Sequence, residues 1–277
     1  MLITRIITAL VLLVVLLAVL FSGSYPAFVV VVLLFLMAAV TECFQLFGRP
    51  RKQAAMIALF WVAAFAYAFV YSQNPAAKFW FGLATLVWLL RFVPSLATGL
   101  PPMESSGRNG MIGALYAITI ITCFAAIVMF FKVSPVYLVS VMALVWIADI
   151  GAYFSGKAFG KRKLAPTISP GKSWEGAIGG GLAVLVLSAL AILFGGPYLL
   201  DTFPVHLHAK LGWAATLGIL AVISAASVVG DLFESQLKRR AGVKDSSNLL
   251  PGHGGVLDRI DALVPVLPLA ALIHSVL

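Results

Sequence analysis

Apolar segments about as long as a bilayer is thick follow one another along almost the whole chain. The first, Ile6–Phe21, contains no charged residue. Roughly 20 mostly apolar residues in a helix cross the hydrocarbon core of a membrane. Backbone polar groups in lipid must be satisfied within the segment itself, and the period-two alternation of a membrane barrel is not seen here, so the segments predict helices. Charged residues are only 10% of the chain and hydrophobic residues 62%, against about 25% charged in soluble domains. Nine spans are expected, over Ile6–Phe21, Pro26–Val40, Ala54–Tyr71, Phe79–Leu100, Gly110–Phe131, Pro135–Phe154, Gly176–Leu200, Leu211–Phe233 and Asp258–Val276. The expected fold is an all-α polytopic membrane protein forming one domain over residues 1–277. The opening segment reads as a retained helix rather than a signal peptide, since no small-residue cleavage site follows it and more spans do.

The cations test the count. With nine spans, 16 of the 19 Lys and Arg fall on the side that holds the N-terminus, leaving Lys78, Lys132 and Lys210 on the other. Short loops rich in Lys and Arg stay cytoplasmic. The N-terminus is therefore expected in the cytoplasm and the C-terminus outside, with the net charge of +9 facing anionic lipid. Nucleic acid is a poor partner for basic residues that hug membrane ends. Cys43 and Cys123 stand in or beside apolar stretches without a CxxC neighbour, the pattern of buried free thiols. The segment with Asp201, His206 and His208 reads as a solvated outer loop before it reads as a metal site.

Two cytoplasmic loops, 155–176 and 234–258, concentrate the chemistry. On helical spacing Asp231, Ser235 and Lys238 share one face, with Glu234 a turn from Asp231, and charge at the end of a span is a site candidate. "LPGHGGVLDRID" follows. Pro251 stops a helix, Gly252, Gly254 and Gly255 free the backbone around His253, and a new helix begins near Val256. Asp258 and Asp261 then share a face at a helix start, where N–H groups favour anions. Carboxylates there make sense if a divalent cation sits between them and phosphate, with Lys and Arg holding the remaining phosphate charge. Taken singly, Arg240 or Lys244 could be a positive-inside signal and the acids could be helix caps; their density in one segment argues for a phosphate-handling site. In the other loop, "GKS" at Gly171–Ser173 fails as a phosphate loop. Pro166 occupies the position that the pattern gives to glycine, and no strand is expected before it. Asp149 lies late in the sixth span.

The run from Ser235 through Lys238-Arg239, Lys244-Asp245 and Leu250-Pro251 to His253-Gly254-Gly255-Val256 and Asp258-Arg259-Ile260-Asp261 resembles the signature of the phosphatidate cytidylyltransferase (CDP-diacylglycerol synthase) family. "DIGAYFSGKAFGKRKLAPTISPGKSWEG" resembles a second stretch of the same family. The likeness is strong from about Trp146 onward and rests on hydropathy alone over residues 1–131, which makes 132–277 the expected catalytic region. It implies transfer of the cytidylyl group of CTP to phosphatidic acid, giving CDP-diacylglycerol and pyrophosphate, by an integral enzyme of the bacterial inner membrane, a homodimer whose site faces the cytoplasm. It also implies Mg²⁺ at Asp231 and Asp258, with Glu234 and Asp261 as further ligand candidates and room for a second, monovalent ion. Lys238, Arg239, Lys244 and Arg259 would neutralise phosphate, Ser235 would ligate or donate, and His253, Lys172, Gly254 and Gly255 would contact phosphate. A general base is not required, because phosphatidate is already an anion. A transporter for an anionic solute, a CTP-dependent lipid kinase and a CDP-alcohol phosphotransferase are the rival classes. The first would need no clustered loops, the second differs in its products, and the third lacks its Asp-Gly-x2-Ala-Arg run here.

Overall fold

The computed structural model describes residues 2–71 and 76–277, apart from the side chains of residues 2–6 and 106. It is a bundle of helices. The elements are α1 (Leu2–Phe21), α2 (Tyr25–Leu46), α3 (Arg51–Phe65, continued by a π turn Ala66–Tyr71), α4 (Ala77–Val87, followed by a π turn Trp88–Phe92), α5 (Val93–Thr98), α6 (Ser106–Val133), α7 (Pro135–Phe159), α8 (Trp174–Phe194), α9 (Phe203–Arg240), α10 (Leu257–Ile260) and α11 (Leu263–His274). An antiparallel hairpin, β1 (Lys163–Ala165) and β2 (Ser169–Ser173), joins α7 to α8.

Among the described residues, seven helical segments are long and apolar enough to cross a membrane: Tyr25–Leu46, Arg51–Tyr71, Ala77–Thr98, Gly107–Val133, Pro135–Phe159, Trp174–Phe194 and Phe203–Arg240. Their outward faces carry large exposed apolar side chains such as Leu34, Phe60, Leu90, Phe154 and Phe194. Apolar surface on this scale requires lipid. The chain is thus a largely helical integral membrane protein.

The last expected span takes a different form. Instead of one helix over Asp258–Val276, the chain makes the short α10, turns at Asp261–Ala262, and starts again as α11. Pro265 explains the interruption. It has no N–H to offer the Asp261 carbonyl, so it fits the first turn of a new helix and not the middle of a continuing one. At 12 residues, α11 is about 18 Å long. It packs against α4, α6, α7 and α9, and most of its side chains are buried. A second break lies within α9, where Gly212 has φ 72° and ψ −177°, a conformation open to glycine. It separates an N-terminal piece from the segment that carries the site.

Aromatic side chains pin the centre. Phe92, Tyr116 and Phe233 from three helices pack edge-on or tilted with ring centroids 4.4–5.7 Å apart. Helices α7 and α8 make the most extensive contact, and glycine is the reason. A Cβ on Gly180 would lie 2.4 Å from the Ala148 carbonyl oxygen, and one on Gly151 would lie 2.9 Å from the Ala183 Cβ. Small residues let helix backbones approach in lipid, where burial between helices gains little from water exclusion. Gly230 does the same on α9: a Cβ there would meet the Asp261 carbonyl oxygen at 2.4 Å and Pro265 at 2.9 Å.

Both cysteines are free and buried, as the sequence suggested. The Cys43 thiol lies 3.9 Å from the Gly113 carbonyl oxygen and the Cys123 thiol 3.6 Å from that of Leu263. Both act as small packing residues, so Cys43→Ala and Cys123→Ala should leave turnover within about twofold of the parent. A larger loss in a turnover assay would assign a thiol a role.

Candidate active site

The cation-rich loops gather at one end of the bundle. Arg240 on α9 donates to Asn109 Oδ1 on α6 at 2.8 Å, Gln236 donates to the Ser95 carbonyl at 2.8 Å, and Glu42 on α2 accepts from Ser247 at 2.7 Å. Within this end the site residues fall into three groups.

The first surrounds a cavity of about 470 Å³ between α7, α8, α9 and the hairpin. Asp149, Lys157, Lys172, Ser173, Ser224 and Asp231 supply its polar wall. Ser173 caps α8, its Oγ accepting from Gly176 N at 3.1 Å. Glu175 in the first turn accepts from the backbone N–H groups of Lys161 and Arg162. "GKSWEG" is therefore a helix start, and it fixes the strand from which Lys172 reaches Asp231, Nζ to Oδ2 2.5 Å. Ser235 Oγ donates to the other oxygen of Asp231 at 3.3 Å, as their i, i+4 spacing predicted. Asp149 lies within electrostatic range of both Asp231 and Lys172. Arg239 points to the hairpin, its Nε donating to the Ile168 carbonyl at 3.4 Å.

The second group centres on Lys238. Its ammonium lies 2.5 Å from Asp258 Oδ1 and 2.6 Å from Glu234 Oε2. The second oxygen of Asp258 accepts three bonds, from Ser246 N and Oγ at 2.8 Å each and from Gly255 N at 2.7 Å. Burial alone would raise the Asp258 pKa. The Lys238 ammonium and the N–H donors outweigh it and hold the carboxyl below its ordinary range. Asp261 behaves oppositely: enclosure, then the Asp231 carboxylate, push it up to about 7. The glycines have a steric role here. A Cβ on Gly254, whose φ is +79°, would meet Asp258 Oδ2 at 2.6 Å, and one on Gly255 would meet Ser246 Oγ at 2.1 Å. The N–H of Gly255, expected on phosphate, is spent on Asp258.

Sequence reasoning missed a member of this group. Glu42, 3% exposed on α2, accepts four hydrogen bonds across more than 200 residues of sequence. Leu257 N reaches Oε2 at 2.8 Å, Ser247 Oγ and Val256 N reach Oε1 at 2.7 and 3.1 Å, and the single Ser246 hydroxyl proton is shared between Oε2, 3.1 Å away, and Asp258 Oδ2, 2.8 Å away. It binds the open N–H groups at the start of α10 and closes the preceding loop onto them. The signal was present: Glu42 is the only acid in the first 100 residues and stands inside an apolar segment, where charge marks function.

The third group is His253 and Arg259, at the end of a separate apolar cavity lined by α1, α2, α6 and α7. Lys244 is exposed on the loop after α9. Asp231 and Asp258, expected together at one metal ion, are held separately here. They share no partner, the first being held by Lys172 and Ser235 and the second by Lys238 and the 246–255 loop. Among the described residues, no three His, Cys, Asp or Glu side chains are grouped to hold a metal ion. Asp149 and Asp231 face one cavity in which an ammonium already sits, oxygen chemistry that suits a hard divalent cation. The Asp258 side chain, 3% exposed, has both oxygens engaged by protein donors.

The chain is 43% identical over 198 residues to the phosphatidate cytidylyltransferase of Haemophilus influenzae, covering 68% of this chain and 63% of that protein. It is 53% identical over 134 residues to the one of Pseudomonas aeruginosa, covering 48% and 45%. It is 42% identical over 137 residues to the one of Thermotoga maritima, covering 50% and 48%. The matched segments thus span less than two thirds of these relatives' lengths. Residues 3–277 match the profile of the cytidylyltransferase family, and a match over nearly its whole length shows that this chain belongs to that family.

Proposed function

We propose that the protein transfers the cytidylyl group of CTP to phosphatidic acid, forming CDP-diacylglycerol and releasing pyrophosphate. The observation that carries this reading is the convergence of Lys172, Asp231, Ser235, Lys238 and Asp258 at one end of a lipid-embedded bundle. The family and the names of its relatives point the same way. The two substrates differ in solubility, one water-borne and one membrane-borne, so a site at a membrane boundary is what the reaction needs.

The protein's share of such a transfer is positioning and charge stabilisation. Lys172 and Lys157 line the 470 Å³ cavity and offer cationic contacts to a triphosphate. Lys238, held between Glu234 and Asp258, is a fixed positive charge for the phosphates to meet. Exposed Lys244 and Arg239 add to the field that draws anions in. Asp231 and Asp149 would hold Mg²⁺, which when bound would neutralise phosphate oxygens and favour departure of pyrophosphate. Further parts of the proposal are nine crossings with a cytoplasmic N-terminus and site, supported by the one-sided cations, residence in the inner membrane, a homodimer, and a catalytic region at 132–277.

Product identification tests the reading. Purified protein in detergent with labelled CTP, phosphatidate and Mg²⁺ should yield a CDP-lipid and pyrophosphate. A chelator should reduce the rate by at least about a hundredfold, and excess Mg²⁺ should restore it. Release of CDP with a phosphorylated lipid would instead identify a kinase, and turnover untouched by chelator would remove the metal.

A further inference from the structure

Helix α1 stands away from the bundle. It packs appreciably on α2 alone, and Thr8 Oγ1 donates to the Pro251 carbonyl at 2.9 Å, tying it to the loop before α10. Between α1 and the faces of α2, α6 and α7 lies a cavity of about 480 Å³, within the size range of ligand pockets. Leu16 and Val19 on α1, Val32 on α2, Phe124 on α6 and Leu138 on α7 represent a wall that is apolar throughout its length. Polarity enters it through His253 and Arg259. Arg259 is exposed and has no carboxylate partner among the described residues. The buried Nδ1 of His253 has no hydrogen-bond partner either. An apolar shaft ending in an unpaired guanidinium and an unsatisfied imidazole is complementary to an acyl chain that carries an anionic headgroup such as a phosphate.

We infer that this cavity is the lipid subsite: an acyl chain of phosphatidate lies between α1 and α2, α6 and α7, with its phosphate at Arg259 and His253. The inference rests on the proposed transferase reading and adds the lipid's route to it. None of the residues lining this cavity lines the cavity of Asp149 and Asp231. Arg259 directly follows Asp258, the partner of Lys238. The lipid phosphate and the nucleotide would therefore approach Lys238 from different sides, with α1 as the outer wall of the lipid's path.

The test uses the full chain in phosphatidylcholine nanodiscs doped with a phosphatidate that carries a photoreactive diazirine in its acyl chain. Illumination should label α1 and α6 near Leu16 and Phe124, and unlabelled phosphatidate should displace the label while added phosphatidylcholine does not. Val19→Trp and Leu138→Trp, which fill the cavity from opposite walls, should each raise the KM for phosphatidate roughly tenfold, equivalent to about 1.4 kcal/mol, with the KM for CTP unchanged. Because α1 makes few contacts, Val19→Trp reports even if Leu138→Trp misfolds. Labelling on α8 and α9 instead, equal displacement by phosphatidylcholine, or an unchanged lipid KM in a folded Val19→Trp protein would overturn the subsite. If the label falls as expected but no CDP-lipid forms from CTP, the lipid site stands and the transferase reading fails.

Discussion

Asp231→Asn should lower CDP-lipid formation by a factor on the order of 10²–10³, the usual effect of removing one charge-stabilising group from a site. The substitution keeps the shape of the side chain and the acceptor for Ser235. It removes the charge that Lys172 meets at 2.5 Å and one of the two carboxylates facing the cavity. With 32% of the side chain exposed, the lost ion pair should matter little to folding, so the variant should insert and melt like the parent. The same CTP, phosphatidate and Mg²⁺ assay checks this, with detergent-solubilised yield and thermal stability as controls. Parental turnover in the variant would take Asp231 out of the reacting centre and leave it as the anchor of the β1–β2 hairpin.

Glu42→Gln should be costly in a different way. The carboxylate accepts two donors at each oxygen, and an amide must turn an NH₂ toward one of those pairs. Whichever way it turns, a backbone N–H at the start of α10 loses its acceptor; on the Oε1 side the Ser247 hydroxyl loses one too, whereas Ser246 keeps Asp258. Charged hydrogen bonds of this kind contribute about 1.5–3 kcal/mol each, and neighbouring losses do not add in full. A destabilisation of about 3 kcal/mol is expected, together with reduced turnover because Asp258 rides on the same loop and helix. Glu42→Asp, which keeps the charge on a shorter stem, should recover part of the turnover. Unchanged stability and turnover in Glu42→Gln would reduce the residue to a passenger of α2.

Hydropathy and local spacing carried much of this architecture. The apolar runs located the helices because each one must satisfy its own backbone in lipid. The i, i+4 rule placed Ser235 against Asp231, and the Pro-Gly-His-Gly-Gly run announced a turn before a new helix. What escaped were contacts between distant parts of the chain. Lys172 reaches Asp231 from a hairpin whose strands are too short and polar to show alternation. Lys238, expected on phosphate, is pinned by Glu234 one turn away and by Asp258, and the second pairing depends on how α10 lies across α9. Glu42 was passed over because the first 131 residues carried no motif, yet its partners lie more than 200 residues away. Pro265 could have revealed the break before α11, but a hydropathy window sees only a greasy residue.

The bare backbone at Gly230 has a consequence for how such a site can change. The Asp261 carbonyl and the ring of Pro265 occupy the volume where a side chain would stand, one residue before Asp231. On that flank the acid is backed by rigid main chain, which cannot be recontoured by exchanging one amino acid for another. The opposite flank is the hairpin, where Lys163, Pro166, Thr167 and Pro170 are exposed and replaceable. Variation among such proteins should therefore accumulate in residues 163–171, short of Lys172 and the cap Ser173, while position 230 stays frozen as glycine.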